Sequence, residues 1–173
     1  MEKYIASSQD AVISGLTLTP LFYGLLSNQY TDILKEIDID LGSLEEWYPQ
    51  QFVLDIYRMI ADTVSHELAL VSVGLELAGE APPEFDTFAE YMDLLADIYG
   101  ASHEDLGPED RLYATRKAPT SYEVVNSTPL PDDLIYGYLY GNARRYLSDF
   151  TVMYCDPDNV NSIQNMAYHV TWS

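Results

Sequence analysis

The stretch SLEEWYPQQFVLDIYRMIAD, residues 43–62, carries the plainest pattern in the chain. Phe52, Val53, Ile56, Met59 and Ile60 recur at three- and four-residue spacing and lead on to Val64. That is the apolar stripe of a helix packed on a core. Ser43 stands as a possible cap, Glu45 and Glu46 lie near the positive end of the helix dipole, and Pro49 sits where a missing N–H costs nothing. Nothing in the stretch looks catalytic. The sequence predicts that Trp47-Tyr48-Pro49 opens the helix.

Working outward, residues 1–10 read as a tail, and Gly15 and Pro20 break the apolar run that follows. Tyr30, Ile33, Leu34 and Ile37 mark a short helix in NQYTDILKEIDID. Beyond Ser65, HELALVSVGLELAG is apolar nearly all round and is expected to be a buried helix closed by Gly79. APPEF breaks the chain. Asp86 or Thr87 then starts a helix with Phe88, Tyr91, Leu94, Leu95 and Ile98 on one stripe.

After Gly100 the texture changes. ASHEDLGPED reads as an acidic loop, and RLYATR and SYEVVNS flank KAPT as a hairpin with a proline turn. PDDLIYGYLYGNARRYL returns to helix, with Asp132 and Asp133 at its start and Arg144 and Arg145 near its end. DFTVMYC and MAYHVTW read as strands joined by the polar DPDNVNSIQN. The expected fold is α+β: a helical N-terminal half packed on an antiparallel sheet of about four strands, with a β-β-α-β-β C-terminal half. Residues 11–173 are expected to form a single domain, and the abrupt end at YHVTWS suits the N-terminal part of a longer protein.

The chain of 173 residues carries 28 acidic against 8 basic residues, a formal charge of −20. Its one basic pair, Arg144-Arg145, is too little for phosphate recognition. That argues against nucleic acid and against an anionic membrane surface. The acidity suits either a salt-adapted host or an acidic docking face. A single cysteine, Cys155, rules out an internal disulfide. With no apolar window near membrane-spanning length, a bacterial cytoplasm is the expected setting. Fifteen tyrosines are the compositional oddity. They suit cores with a wet edge, pockets and interfaces alike.

Candidate chemistry is sparse. His66 precedes Glu67, but HELAL lacks the second histidine of a metalloprotease helix. His103 lies with Glu104, Asp105, Glu109 and Asp110, where a divalent cation competes with a merely solvated acidic loop. His169 falls on the wetter side of its strand. Asp38, Asp40 and Gly42 imitate a calcium loop, but Pro49 occupies the position of its glutamate. Asp156, Asp158 and Asn159 read as a turn, and Cys155 as a quiet strand-end thiol. No phosphate loop or nucleophile elbow is present.

The tyrosines remain. Tyr91 and Tyr99 share one predicted helix; Tyr136, Tyr140 and Arg144 share a face of another; Tyr113 and Tyr122 belong to the hairpin. Core packing is one reading. A pocket is the other, because hydroxyls buried on an apolar sheet need partners that a polar-tipped ligand supplies.

The order of these elements resembles a known superfamily. The marks are W-Y-P at a helix mouth, a hairpin, a helix opening on aspartate and bearing Gly137 and Gly141, and a last strand Tyr168-x-Val170-x-Trp172. Together, over roughly residues 11–172, they look like the superfamily of H-NOX (haem-nitric-oxide/oxygen-binding) domains, vinyl-reductase-type ligand-binding domains and vesicle-tethering TRAPP subunits. The resemblance implies a sensor or binding module with a pocket between helical half and sheet. The family's cofactor grips do not carry over. Haem-binding members have a histidine where Ile98 or Tyr99 falls here, with His103 a turn later, and a Y-x-S-x-R triplet where this chain reads YEVVNST. Of the zinc-holding cysteines only Cys155 has a counterpart; Met166 stands at another such place.

The expected function is a non-enzymatic sensory domain for a small, largely apolar molecule, signalling to a protein partner or downstream domain, or as a homodimer. Tyr91, Ile98, Tyr99, Tyr122, Tyr136 and Tyr140 are the expected wall residues, with no catalytic set, no metal and no cofactor. The alternatives are an interaction module of the same fold with a solid core, and an atypical haem sensor in which Tyr99 ligates iron.

Overall fold

The computed structural model describes residues 2–23, 30, 33, 35, 37, 46–63, 68–80, 85–155 and 166–173. A short strand β1 (Val12–Ser14) runs through a 3-10 turn (Gly15–Leu18) into helix α1 (Thr19–Tyr23). Strand β2 (Trp47–Pro49) leads into α2 (Gln50–Thr63), followed by α3 (Ala69–Glu80), α4 (Phe88–Asp93) and α5 (Leu95–Ala101). Then come β3 (His103–Glu104), the hairpin β4 (Leu112–Ala118) and β5 (Ser121–Asn126), helix α6 (Asp132–Tyr146), β6 (Phe150–Cys155) and β7 (Met166–Trp172).

The expected α+β architecture is present. β4, β5, β7 and β6 form one antiparallel sheet in that order, matching the β-β-α-β-β pattern. A second sheet, in the order β2-β1-β3, was not anticipated. Its existence corrects the reading of Trp47-Tyr48-Pro49. These residues form a strand, with Tyr48 paired to Ile13, and the helix starts only at Gln50. Proline supplies the reason, since its ring pushes the preceding residue out of the helical region and into extended backbone. Gln50 then donates its backbone N–H to Ala11 O at 2.7 Å, tying helix to strand.

Two further expectations change. The stripe Phe88–Ile98 is split at Leu94 into two helices, the first opened by a capping box between Thr87 and Glu90. The split turns Tyr99 inward and leaves Ile98 half-buried and Leu94 exposed, so the buried set is Phe88, Tyr91, Met92, Leu95 and Tyr99. ASHEDLGPED is not a solvated loop throughout. His103 pairs with Ile13 in the small sheet, and His103 and Asp110 are buried while Glu104, Asp105 and Glu109 face solvent.

Helices α3 and α6 cross with almost no side chain between them. A β-carbon on Gly74 would collide with Leu134 O, and one on Gly137 with Val71 O. Glycine is required at both positions because the neighbour is backbone, which cannot step aside.

Residues 3–7 are tied to the body of the fold. Tyr4 donates its N–H to Pro129 O, and its own carbonyl accepts from Arg58 and Gln51. Lys3 pairs with Asp132 at 2.9 Å. Ser43, the calcium-like Asp38-x-Asp40, His66-Glu67 and the Asp156–Asn159 turn lie outside the described residues, as does most of the helix expected over residues 28–40.

Candidate functional site

Helices α3, α5 and α6 and the turn after β1 do not close completely on one another. Among them lies a cavity of about 570 Å³, which the large sheet reaches, among the described residues, only through Leu112, within the range of small-molecule sites. The expected pocket between helical half and sheet is thus displaced onto the helices. Its walls are apolar: Leu77, Phe85, Leu95, Leu112, Leu134 and Ile135 supply much of them. Leu16 and Leu94 are 70% and 42% exposed and both line the cavity, so they mark where it opens. Asp97 and Ala101, also exposed, stand at the same rim.

The polar end is built by Tyr99 and His103, one helical turn apart in sequence. Their rings stack at 3.9 Å between centroids. His103 Nδ1 lies 2.8 Å from Tyr99 O and 3.0 Å from Ser102 Oγ. A carbonyl only accepts, so Nδ1 carries the proton and Nε2 is left as a bare lone pair. None of the described residues offers Nε2 a hydrogen bond, although it is buried. Burial is the main influence on this imidazole and lowers its pKa to about 4, against smaller raising effects of the Tyr99 carbonyl and Asp110. It is neutral at physiological pH.

Behind this pair sits a buried chain of hydrogen bonds. Tyr99 OH donates to Asp110 Oδ1 at 2.7 Å, and Gln50 Nε2 donates to Asp110 Oδ2 at 2.8 Å. Gln50 Oε1 accepts from the N–H and hydroxyl of Ser7, and Ser7 Oγ accepts from Gly107 N–H. Burial, and then the Asp110 charge, hold the Tyr99 phenol protonated by raising its pKa well above the ordinary value. The chain runs from the cavity wall to the N-terminal segment.

Of the six residues expected to line a pocket, Ile98 and Tyr99 line this cavity and the other four do not. Tyr91 stacks on Phe88 at 5.7 Å behind α4, its hydroxyl beside that of Tyr138 without forming a hydrogen bond of good geometry. Tyr122 stacks on Trp172 and donates to Asp93 Oδ1 at 2.7 Å. Tyr136 and Tyr140 stack on each other and pack against Tyr154 and Phe150 of β6. The hydroxyls of Tyr122, Tyr154 and Tyr99 reach carboxylates of the chain itself, so a ligand is not needed to satisfy them.

Sequence reasoning weighed His103 and Asp110 only as part of a cation site or solvated loop, and it missed Gln50 and Tyr138. A signal existed for the first: His103 stands four residues after Tyr99, the spacing at which helical side chains meet. Among the described residues no three His, Cys, Asp or Glu side chains converge to hold a metal ion. Among the same residues no helix is long and apolar enough to cross a membrane.

No protein-family model matches the chain, and no curated protein sequence does. Solved structures do. An H-NOX protein from S. oneidensis, a mutant in the Fe(II) ligation state, superposes with a TM-score of 0.68 at 11% identity, covering 93% of this chain and 96% of that one. An H-NOX mutant from T. Tengcongensis gives 0.58 at 11% identity, over 91% and 93%. A structure determined to probe the function of heme distortion in the H-NOX family gives 0.63 at 13%, over 91% and 92%. The likeness is one of fold: the chain has an H-NOX-like fold.

Proposed function

We propose that this chain is a non-enzymatic sensory domain that holds one small, largely apolar molecule in the cavity among α3, α5 and α6, and passes the bound state to a partner or downstream domain. The observation that carries the reading is an apolar cavity of about 570 Å³. An H-NOX-like fold supports it, since those neighbours place a ligand-binding function on the same architecture. Tyr99, Ile98 and His103 are the proposed contact residues.

Haem is the ligand that the fold suggests first. His103 Nε2 is a nitrogen of the kind that ligates iron. Haem also brings two carboxylates, and among the described residues no Lys or Arg lines the cavity while Asp97 stands at its rim. The lining therefore fits an uncharged ligand and does not fit haem. The route outward is Tyr99–Asp110–Gln50–Ser7. A ligand that favours one packing of Tyr99 biases the N-terminal segment through these bonds. The rival reading, an adaptor with a solid core, has the cavity against it.

The test is native mass spectrometry and an absorption spectrum of the purified chain, with uptake of the neutral dye Nile red in parallel. A retained apolar molecule or saturable dye uptake is expected, lost in an Ile135→Trp variant that fills the cavity. A strong haem absorption band would overturn the uncharged-ligand reading. No retained molecule and no dye uptake would overturn the sensory reading itself.

A further inference from the structure

Granted the ligand-binding reading above, the cavity also fixes where a ligand's polar group must lie. Its deep wall is aliphatic: Leu95, Leu112, Leu130, Leu134 and Ile135 line it, and none is more than 7% exposed. The two buried polar residues of the lining offer a ligand no free donor and no open acceptor of their own. Tyr99 gives its hydroxyl proton to Asp110, and the buried Nε2 of His103 is out of reach of anything the cavity holds. Tyr138, half-buried, has Tyr91 and Asn142 beside its hydroxyl.

The remaining polar side chains gather where the cavity opens. Ser14, Thr17 and Ser102 are half-buried and Asp97 is exposed, on the same rim as the exposed Leu16 and Leu94. Ser14 donates its backbone N–H to Ser102 O at 2.9 Å, which joins the turn after β1 to the end of α5 on one side of the mouth. The lining is thus graded from hydrocarbon at depth to hydroxyl and carboxylate at the opening.

That grading sorts ligands by shape of polarity. A hydroxyl set among Leu95, Leu112, Leu134 and Ile135 would lose its water and gain no partner. The same hydroxyl at the mouth keeps its water. A carboxylate at the mouth meets Asp97, with no Lys or Arg in the lining among the described residues to offset it, on a chain of net charge −20.

The geometry points to an uncharged aliphatic amphiphile that enters tail first. Its hydrocarbon fills the deep end, and its one polar group, a hydroxyl or an amide, stays at the mouth beside Leu16, Leu94 and Asp97. Burial of hydrocarbon supplies the affinity. Orientation comes from the position of the polar group along the molecule, with no hydrogen bond needed in the interior.

Displacement of Nile red by 1-decanol, its isomer 5-decanol and decanoate tests this. The two alcohols contain the same atoms and differ in whether the hydroxyl can remain at the mouth while the chain lies inside. 1-Decanol is expected to bind at least tenfold more tightly than 5-decanol, the discrimination that goes with burying one unpartnered hydroxyl, and at least tenfold more tightly than decanoate. Shortening to 1-octanol should weaken binding about fifteenfold, at about fourfold per methylene. Asp97→Lys, a change on the exposed rim, should raise the affinity for decanoate relative to that for 1-decanol. In the unaltered protein, intermolecular NOEs should join the terminal methyl of 1-decanol to Ile135 and its carbinol protons to Ala101, which is exposed and lines the opening. Equal affinities for the two alcohols, a preference for decanoate, an unmoved decanoate ratio in Asp97→Lys, or the reversed NOE pattern would overturn the inference. Failure of every alcohol to displace bound Nile red would overturn it too, leaving the cavity reading intact. Failure of the dye itself to bind would overturn both.

Discussion

The rings of Tyr99 and His103 stack at 3.9 Å with 25° between their planes, and the Tyr99 carbonyl holds the histidine proton. One residue thus sets the other's plane and tautomer. Because the imidazole is neutral and buried, protonating it must oppose folding.

The sign follows from the shift. His103 has a pKa of about 4 in the folded chain against 6.5 for an ordinary histidine. Between those values the unfolded chain binds the extra proton, so stability is complete above about pH 6.5 and is lost as pH falls through 4. The loss from this group is on the order of 3 kcal/mol. Urea midpoints measured from pH 7 to 4 should show a slope in the unaltered protein that is shallower in His103→Phe, where only carboxylates titrate. Parallel slopes would mean that this imidazole is not desolvated.

Asp110 accepts from both Tyr99 and Gln50 while buried. Asp110→Asn keeps an oxygen for Gln50 but sets its NH2 against the Tyr99 hydroxyl, which must turn to accept and loses its charged partner, at a cost of about 2 kcal/mol. If the chain of bonds couples cavity and N-terminus, amide exchange at residues 4–7 should quicken in this variant beyond the global change. Exchange that follows global stability alone would break the proposed route.

The α3–α6 crossing makes a sharp contrast between glycines. Gly137→Ala should destabilise by at least roughly 3 kcal/mol, since the added carbon meets the Val71 carbonyl. Gly79→Ala, in the same pair of helices but with nothing within 4 Å of the new carbon, should be neutral or stabilise by up to about 1 kcal/mol. Denaturation midpoints of the two variants decide it. Similar values would mean that the crossing is looser than described.

Thr87 caps α4 by accepting from Glu90 N–H at 3.2 Å, and Glu90 returns the bond to Thr87 N–H at 3.1 Å. Thr87→Ala should cost about 1 kcal/mol. An unchanged midpoint would indicate that α4 is held by Phe88 and Tyr91 packing alone.

Much of the fold was legible because its rules are local. The hairpin around Pro119-Thr120, the α6 helix with acids at its start and arginines at its end, and the alternating last strand all follow from propensity, period and charge. The break at Leu94 was not legible, since no glycine or proline marks it. Trp47-Tyr48-Pro49 was misplaced for another reason: helix-opening chemistry and strand-forming backbone share the same residues, and only the pairing with Ile13 separates them.

The site divides in the same way. Composition and period were enough to establish an acidic α+β chain rich in tyrosine, because these depend on each residue and its near neighbours. Which tyrosines face a cavity depended on how α4 turns into α5 and how closely two glycines let α3 approach α6. Those are distances between segments far apart in sequence, set by packing. So Tyr136 and Tyr140 went to the sheet, Tyr122 to Asp93, and His103, drawn from an acidic stretch that looked solvated, came to lie buried against Tyr99.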